Sequence, residues 1–274
     1  MSKLIQRLTH RIEDAAWLAR KDLAWRLRPS ASRPSVLVAG VQRSGTNMLM
    51  DVLERSADAD VFHETDPRAF DDYLMRDDET IRALKAASRA PVFVIKTLCE
   101  LDRLHELKAL LAPARIVWIY RHYSDMVNSG RKSFASLPAS VQSMVNRQNH
   151  GDWRVRGLTD AIHAQMQACH DPMDGPNSAI ALFWYARNQL FFELGLADQE
   201  DVMLVNYETL VSEPAEQFRR IFDFAGVRFT PWAHKRVFAS SIGKARAPSD
   251  ISACARHLCD DLFSRLEAAR ARQG

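Results

Sequence analysis

The chain predicts a three-layer α/β fold with a central parallel sheet flanked by helices. Three observations predict it. Apolar runs of strand length alternate with helical stretches along most of the sequence, which argues for parallel strands covered on both faces. One of these strands leads directly into a glycine-bounded turn and then into a helix start. The chain has 274 residues, 47% of them hydrophobic and 26% charged, with few glycines and prolines, so it is long enough to bury a substantial core.

The elements follow in order. Residues 3–28 read as one helix, with Ile5, Leu8, Ile12, Ala15, Ala19 and Leu23 at helical spacing and Pro29 stopping the run. Its charges are lopsided: Lys3, Arg7, Arg11, Arg20, Lys21, Arg26 and Arg28 stand against Glu13, Asp14 and Asp22. Such a helix packs on its own domain or on a second copy in a homodimer, or lies on an anionic membrane face. Residues 1–29 are therefore set apart from a domain spanning 30–274, joined by the hinge "RPSASRP". Strands are predicted at Ser35–Ala39, Asp60–His63, Val92–Ile95, Ile116–Tyr120 and Val202–Asn206. Helical stretches at Met48–Arg55, Glu79–Ser88 and Leu101–Leu111 lie between them. The polar segment 133–176, with "NRQNHGDWRVRG" and "HDPMDGPN", reads as an insertion over the site, not as core. Trp153, Arg154, Arg156, His163, Trp184 and Tyr185 line a ligand pocket or belong to the core. Phe218, Ile221, Phe222 and Ala225 fall on one face of a late helix and read as core.

Composition narrows the function. A net charge of +3 is too weak to argue for nucleic acid, and it suits a small anionic ligand met locally. No stretch approaches the roughly 20 apolar residues that cross a bilayer, and the N-terminus lacks the apolar core of a secretory signal. A cytoplasmic location follows as the default, with a peripheral position at the inner face of a membrane as the variant that the basic helix suggests. Cys99, Cys169, Cys254 and Cys259 form no Cys-x-x-Cys pair and read as thiols in a reducing compartment. A zinc site from Cys254, His257 and Cys259 is the minor alternative, and no metal is assigned.

The loop "GVQRSGTNML" carries the chemistry. Glycines at Gly40 and Gly45 have the spacing of a phosphate-binding loop, G-x-x-x-x-G, between a strand and a helix start, so the fold is P-loop-like. That geometry aims backbone N–H groups at an anion. The lysine and hydroxyl that grip terminal phosphates and magnesium in a nucleoside-triphosphate site are replaced by Thr46 and Asn47, and Arg43 sits inside the loop. A cation without a metal ligand suits a transferred group of lower charge.

With these residues the chain resembles the P-loop sulfotransferases that use 3′-phosphoadenosine 5′-phosphosulfate (PAPS), in their Golgi and bacterial branch. The resemblance spans roughly residues 35–250. It makes Gln42, Arg43, Ser44, Gly45, Thr46 and Asn47 the cradle for the 5′-phosphosulfate. "RIVWIYRHYSDMVNSGRK" is similar to the family's 3′-phosphate site, a strand-end arginine and a serine eight residues on: Arg121 and Ser129. His122-Tyr123 stands where Asp-Pro often follows that arginine. "DVMLVNYETLVSEPAEQF" is similar to the segment supplying a strand and a Tyr-Glu pair, which adds Tyr207 to the nucleotide site. "SSIGKARAP" resembles the late basic loop, with Lys244 and Arg246 over the 3′-phosphate.

For catalysis, "VFHETDP" places His63 and Glu64 at a strand end beside the loop. The resemblance makes Glu64 the base, with His63 its rival. "FVIKTLCE" places Lys96 at the end of the third strand. Leu98 stands where cytosolic relatives carry a histidine base, which favours Glu64. Lys96 and Arg43 then hold charge on the sulfuryl and bridging oxygens. The implied reaction sulfates a glycan, lipid or small-molecule hydroxyl and releases 3′,5′-ADP without a metal. A P-loop small-molecule kinase and a nucleotide-binding protein without catalysis are the alternatives.

Overall fold

In the computed structural model, the structure describes residues 16–21, 23–25, 33–133, 136–230, 232–235, 237 and 250–273. The chain runs through β1 (Ser35–Gly40), α1 (Thr46–Glu54), β2 (Ala59–Phe62) and a short hairpin of β3 (Phe70–Asp71) and β4 (Leu74–Met75). Next come α2 (Asp78–Ala87), β5 (Val92–Lys96), α3 (Leu104–Leu110), β6 (Ala114–Tyr120) and α4 (Tyr123–Ser133). Then follow α5 (Leu137–Val145), α6 (Asp160–Cys169), α7 (Pro176–Glu193), β7 (Val202–Asn206), α8 (Tyr207–Ser212), α9 (Pro214–Ala225) and α10 (Ala253–Arg272).

Five strands form one parallel sheet in the order β2-β5-β1-β6-β7. Each predicted strand is present within two residues of its predicted bounds. Side chains alternate between the two faces, so the sheet carries two cores. Leu37, Ala39, Phe93, Ile95, Ile116 and Trp118 share one, with most of α7 and the inner face of α10. Val36, Val38, Val94, Val117 and Ile119 share the other, with α1, α8 and α9. Helix α7 is buried from Asn177 to Phe191, as a helix sandwiched on all sides must be. The predicted core positions Phe218, Ile221, Phe222 and Ala225 are all buried on α9.

Two expectations are corrected. The segment 133–176 is not merely laid over the site. Leu137, Val141 and Met144 on α5 and Ile162 and Met166 on α6 join the larger core, because their spacing gives each helix one apolar face amid polar residues. Trp184 and Tyr185 are core residues too, and His163 is buried. The second correction concerns the cysteines. Cys169, ending α6, and Cys254, opening α10, form a disulfide with Cα atoms 5.2 Å apart across a sequence separation of 85. Only Cys99 and Cys259 remain as buried thiols, and the zinc alternative loses Cys254.

Part of the N-terminal helix is described. Residues 16–21 and 23–25 are helical and dock on their own domain at the end of α1. The Trp17 indole N–H and the Lys21 ammonium both donate to the Glu54 carbonyl, at 3.3 and 2.6 Å, and the Trp25 indole donates to Ala57. A cation at a helix C-terminus meets the unsatisfied carbonyls there. Burial pushes the Lys21 pKa down to about 8 despite the nearby carboxylate of Glu54. Among the described residues no helix is long and apolar enough to cross a membrane.

Phe222 is fully buried and packs edge-on against Phe229, ring centres 5.4 Å apart. Replacing Phe222 with alanine is expected to remove about 3–5 kcal/mol of stability, read from urea denaturation. A loss within about 0.5 kcal/mol, as at a surface position, would contradict this packing.

Candidate functional site

Parallel strands put all their carboxyl ends on one edge, where ligands of such sheets bind. At that edge a cavity of about 310 Å³ is lined by Gln42, Arg43, Gly45, Thr46, Asn47, Glu64, Lys96, Leu98, Arg121, Ser129 and Tyr207. Ten of these eleven residues are ones the sequence singled out for the site. Larger hollows, of about 880 Å³ at the amino ends of the strands and about 530 Å³ along the outer side of β7, contain none of them. The smaller cavity is the candidate site because three cations and one carboxylate converge on it.

The loop after β1 is shaped by its glycines. Gly45 has φ +98°, and a Cβ there would lie 2.3 Å from the Tyr207 ring. Gly45 is also the N-cap of α1, and no side chain caps that helix start and no acid sits in its first turn. The amides at the head of α1 therefore face the cavity edge with the positive end of the helix dipole. The Ser44 amide does not join them, because it donates to the Val41 carbonyl at 3.2 Å. The Ser44 hydroxyl is fully buried and has no hydrogen-bond partner among the described residues. Arg43 adopts φ +68°, a left-handed backbone uncommon for a non-glycine residue, and its Nε–H donates to the Ser129 hydroxyl at 2.8 Å.

Lys96 ends β5 and is 1% exposed. Its ammonium lies 2.8 Å from Glu64 Oε2 and also donates to Asn47 Oδ1. A buried ammonium needs such partners to remain charged. Burial holds the Lys96 pKa below the ordinary lysine value, and the Glu64 carboxylate opposes that shift. His63 is not brought into the cavity. The strand ends at Phe62 and the chain turns at Glu64, and the His63 ring faces α1, 3.7 Å from Glu54 and 4.0 Å from Asp51. Burial alone would lower the His63 pKa, but those two carboxylates outweigh it and raise it.

Arg121 follows β6 and is buried. Its guanidinium lies 4.5 Å over the Tyr207 ring centre, 3.3 Å from Asp125 and 4.0 Å from Glu208. Its carbonyl accepts from the Trp184 indole at 2.9 Å. Three residues here had no site role assigned from the sequence. Asp125, four positions after Arg121, had a legible i,i+4 signal. Glu208, whose carboxylate accepts from the His122 amide at 3.0 Å, had only its adjacency to Tyr207. Burial raises the Glu208 pKa, and Arg121 opposes it. Leu98 lines the cavity where only an absent histidine had been noted. Lys244 and Arg246 lie outside the described residues. Among the described residues no group of three or more His, Cys, Asp or Glu side chains could hold a metal ion.

A model of the sulfotransferase family matches residues 74–231, more than half of the chain, leaving the loop after β1 and Glu64 outside the match. Among solved structures, the sulfotransferase domain of the curacin biosynthetic pathway is 13% identical with a TM-score of 0.51, covering 85% of this chain and 99% of its own. The sulfotransferase domain of the Synechococcus PCC 7002 olefin synthase is 14% identical, covering 86% and 97%, with a TM-score of 0.49. The sulfotransferase from Alicyclobacillus acidocaldarius is 15% identical, covering 88% and 95%, with a TM-score of 0.47. No curated protein matches the sequence.

Replacing Gly45 with alanine would drive a methyl group into the Tyr207 ring at a backbone angle that disfavours side chains. The variant is expected to lose about 1–3 kcal/mol of stability from the backbone alone, read as a lower thermal midpoint. A midpoint equal to that of the unaltered protein would contradict the tight approach of loop and ring.

Proposed function

The chain belongs to the sulfotransferase family, and from that premise we propose that it transfers a sulfuryl group from PAPS to an acceptor hydroxyl. The observation that carries the proposal is the convergence in one cavity of Arg43, Glu64, Lys96, Arg121 and Ser129 with the uncapped start of α1. These donors suit an elongated anion charged at two places, and the only carboxylate among the lining residues sits where a base is needed.

PAPS, when bound, supplies a sulfuryl group already joined to a phosphate leaving group. Glu64 accepts the proton of the acceptor hydroxyl as its oxygen bonds to sulfur. Lys96, fixed against Glu64 and Asn47, donates to oxygens that gain charge as the sulfur–oxygen bond to the phosphate breaks. Arg43 and the amides of Gly45, Thr46 and Asn47 hold the 5′ group. Arg121, backed by Tyr207 and aligned by Asp125, grips the 3′-phosphate with its planar fork. The orientation of His63 toward α1 supports Glu64 over its rival as the base. The acceptor is a hydroxyl compound entering beside Glu64.

Glu64→Gln keeps the size of the side chain and removes the base. Turnover, followed as transfer from [³⁵S]PAPS to acceptors in a cell extract, is expected to fall by about 10²–10⁴, while 3′,5′-ADP binds as before. Turnover retained within about threefold would remove Glu64 from the mechanism.

A further inference from the structure

The helix before β1 docks on its domain by a face other than its apolar one. Trp17, Lys21 and Trp25 recur every four residues and turn inward, where each donates to a carbonyl at the end of α1 or just after it. Residues two apart on a helix stand about 200° from one another around its axis. Ala19 and Leu23, each two positions from these inward residues, therefore turn outward, and both are exposed. They belong to the stripe Ile5, Leu8, Ile12, Ala15, Ala19 and Leu23, whose other four members lie outside the described residues.

The outward side is apolar beyond those two. Leu23 is 65% exposed and Leu18, beside it on the helix surface, 43%. Of the six large hydrophobic side chains exposed among the described residues, three belong to this region: Leu18, Leu23 and Trp232, whose ring meets Trp17 edge-on at 5.2 Å. Single apolar residues on a surface need no explanation, but a cluster of them marks an interaction surface.

Charge decides among partners. Residues 1–29 carry Lys3, Arg7, Arg11, Arg20, Lys21, Arg26 and Arg28 against Glu13, Asp14 and Asp22, seven cations to three carboxylates and a balance of +4. The whole chain is +3, so residues 30–274 come to −1. The entire positive excess of the protein thus lies in this one segment. A second copy seated on the stripe would bring two such segments together, and they repel. An anionic lipid surface attracts the cations, and the apolar layer beneath its headgroups takes up the leucines.

We propose that the outward stripe of the helix before β1 seats the protein on an anionic lipid surface as a peripheral contact. Trp17, Lys21 and Trp25 fix the helix to the domain. Leu18 and Leu23 enter the boundary between headgroups and acyl chains, and the exposed Arg20 meets the headgroup phosphates. This surface contact is independent of which donor nucleotide the cavity takes.

The test is co-sedimentation of the full chain with vesicles of phosphatidylcholine alone and of equal parts phosphatidylcholine and phosphatidylglycerol. The protein is expected to bind the anionic vesicles and to leave them as salt is raised. Leu23→Asn removes an exposed apolar side chain and is expected to weaken that binding about tenfold, and Arg20→Gln about fivefold. Leu23→Phe, which stays apolar, is expected to bind as the unaltered chain does. Both positions are exposed, so the variants are expected to keep its thermal midpoint, which separates a lost contact from a lost fold. Binding to neither kind of vesicle, equal binding to both, or anionic binding that survives Leu23→Asn and Arg20→Gln would overturn the proposal. A dimer that Leu23→Asn disrupts, with no binding to vesicles, would overturn it as well, because the stripe would then seat a second copy.

Discussion

Strand β1 runs down the middle of the sheet, and its last residue has no room for a side chain. A Cβ on Gly40 would lie 2.2 Å from the backbone carbonyl oxygen of Ile119 on β6, at a φ of +141°. This close approach sets where the loop leaves the sheet, and the rest of the site depends on it. It brings the start of α1 beside the end of β6, so that Gly45 meets Tyr207 and Arg43 meets Ser129. A bulkier residue at that point would separate the strand ends, and with them the loop that carries Arg43 from the strand end that carries Arg121.

Around this frame the charges are balanced with little excess. Lys96 is almost wholly removed from water and is matched by the single carboxylate of Glu64 and the amide oxygen of Asn47. Arg121 is held by Asp125 and Glu208 on one side and by an aromatic face on another. Both cations are thus oriented before any ligand arrives, which lowers the ordering entropy left to binding. Preorganised cations of this kind stabilise charge as it develops in a transition state. The charge is thus gathered locally: Arg43, Lys96 and Arg121 line one cavity in a chain whose net charge is only +3.

Much of this was legible in the sequence, and the remainder was hidden for identifiable reasons. Buried parallel strands announce themselves as apolar runs, so all five were placed, with β2 displaced by one residue. The glycine spacing, the strand-end Arg121 and the strand-end Lys96 located the cavity lining. The β3–β4 hairpin was missed because its turn uses Asp72 and Tyr73 at positive φ, where the usual Asn-Gly signal is absent. The apolar faces of α5 and α6 were obscured by the polar residues around them. The Cys169–Cys254 bond joins positions far apart in sequence, so no local spacing could reveal it. Glu64 was preferred to its rival His63 on the resemblance; the structure lines the cavity with Glu64 and sets the His63 ring against α1.

The central claim is that one doubly phosphorylated adenosine spans the cavity between the start of α1 and Arg121. A crystal structure of the chain with 3′,5′-ADP tests it most directly. The account predicts the 5′-phosphate against the amides of Gly45–Asn47 and the 3′-phosphate within hydrogen-bond reach of Arg121 and Ser129. A nucleotide bound elsewhere, or one whose 3′-phosphate projects into solvent away from Arg121, would contradict it.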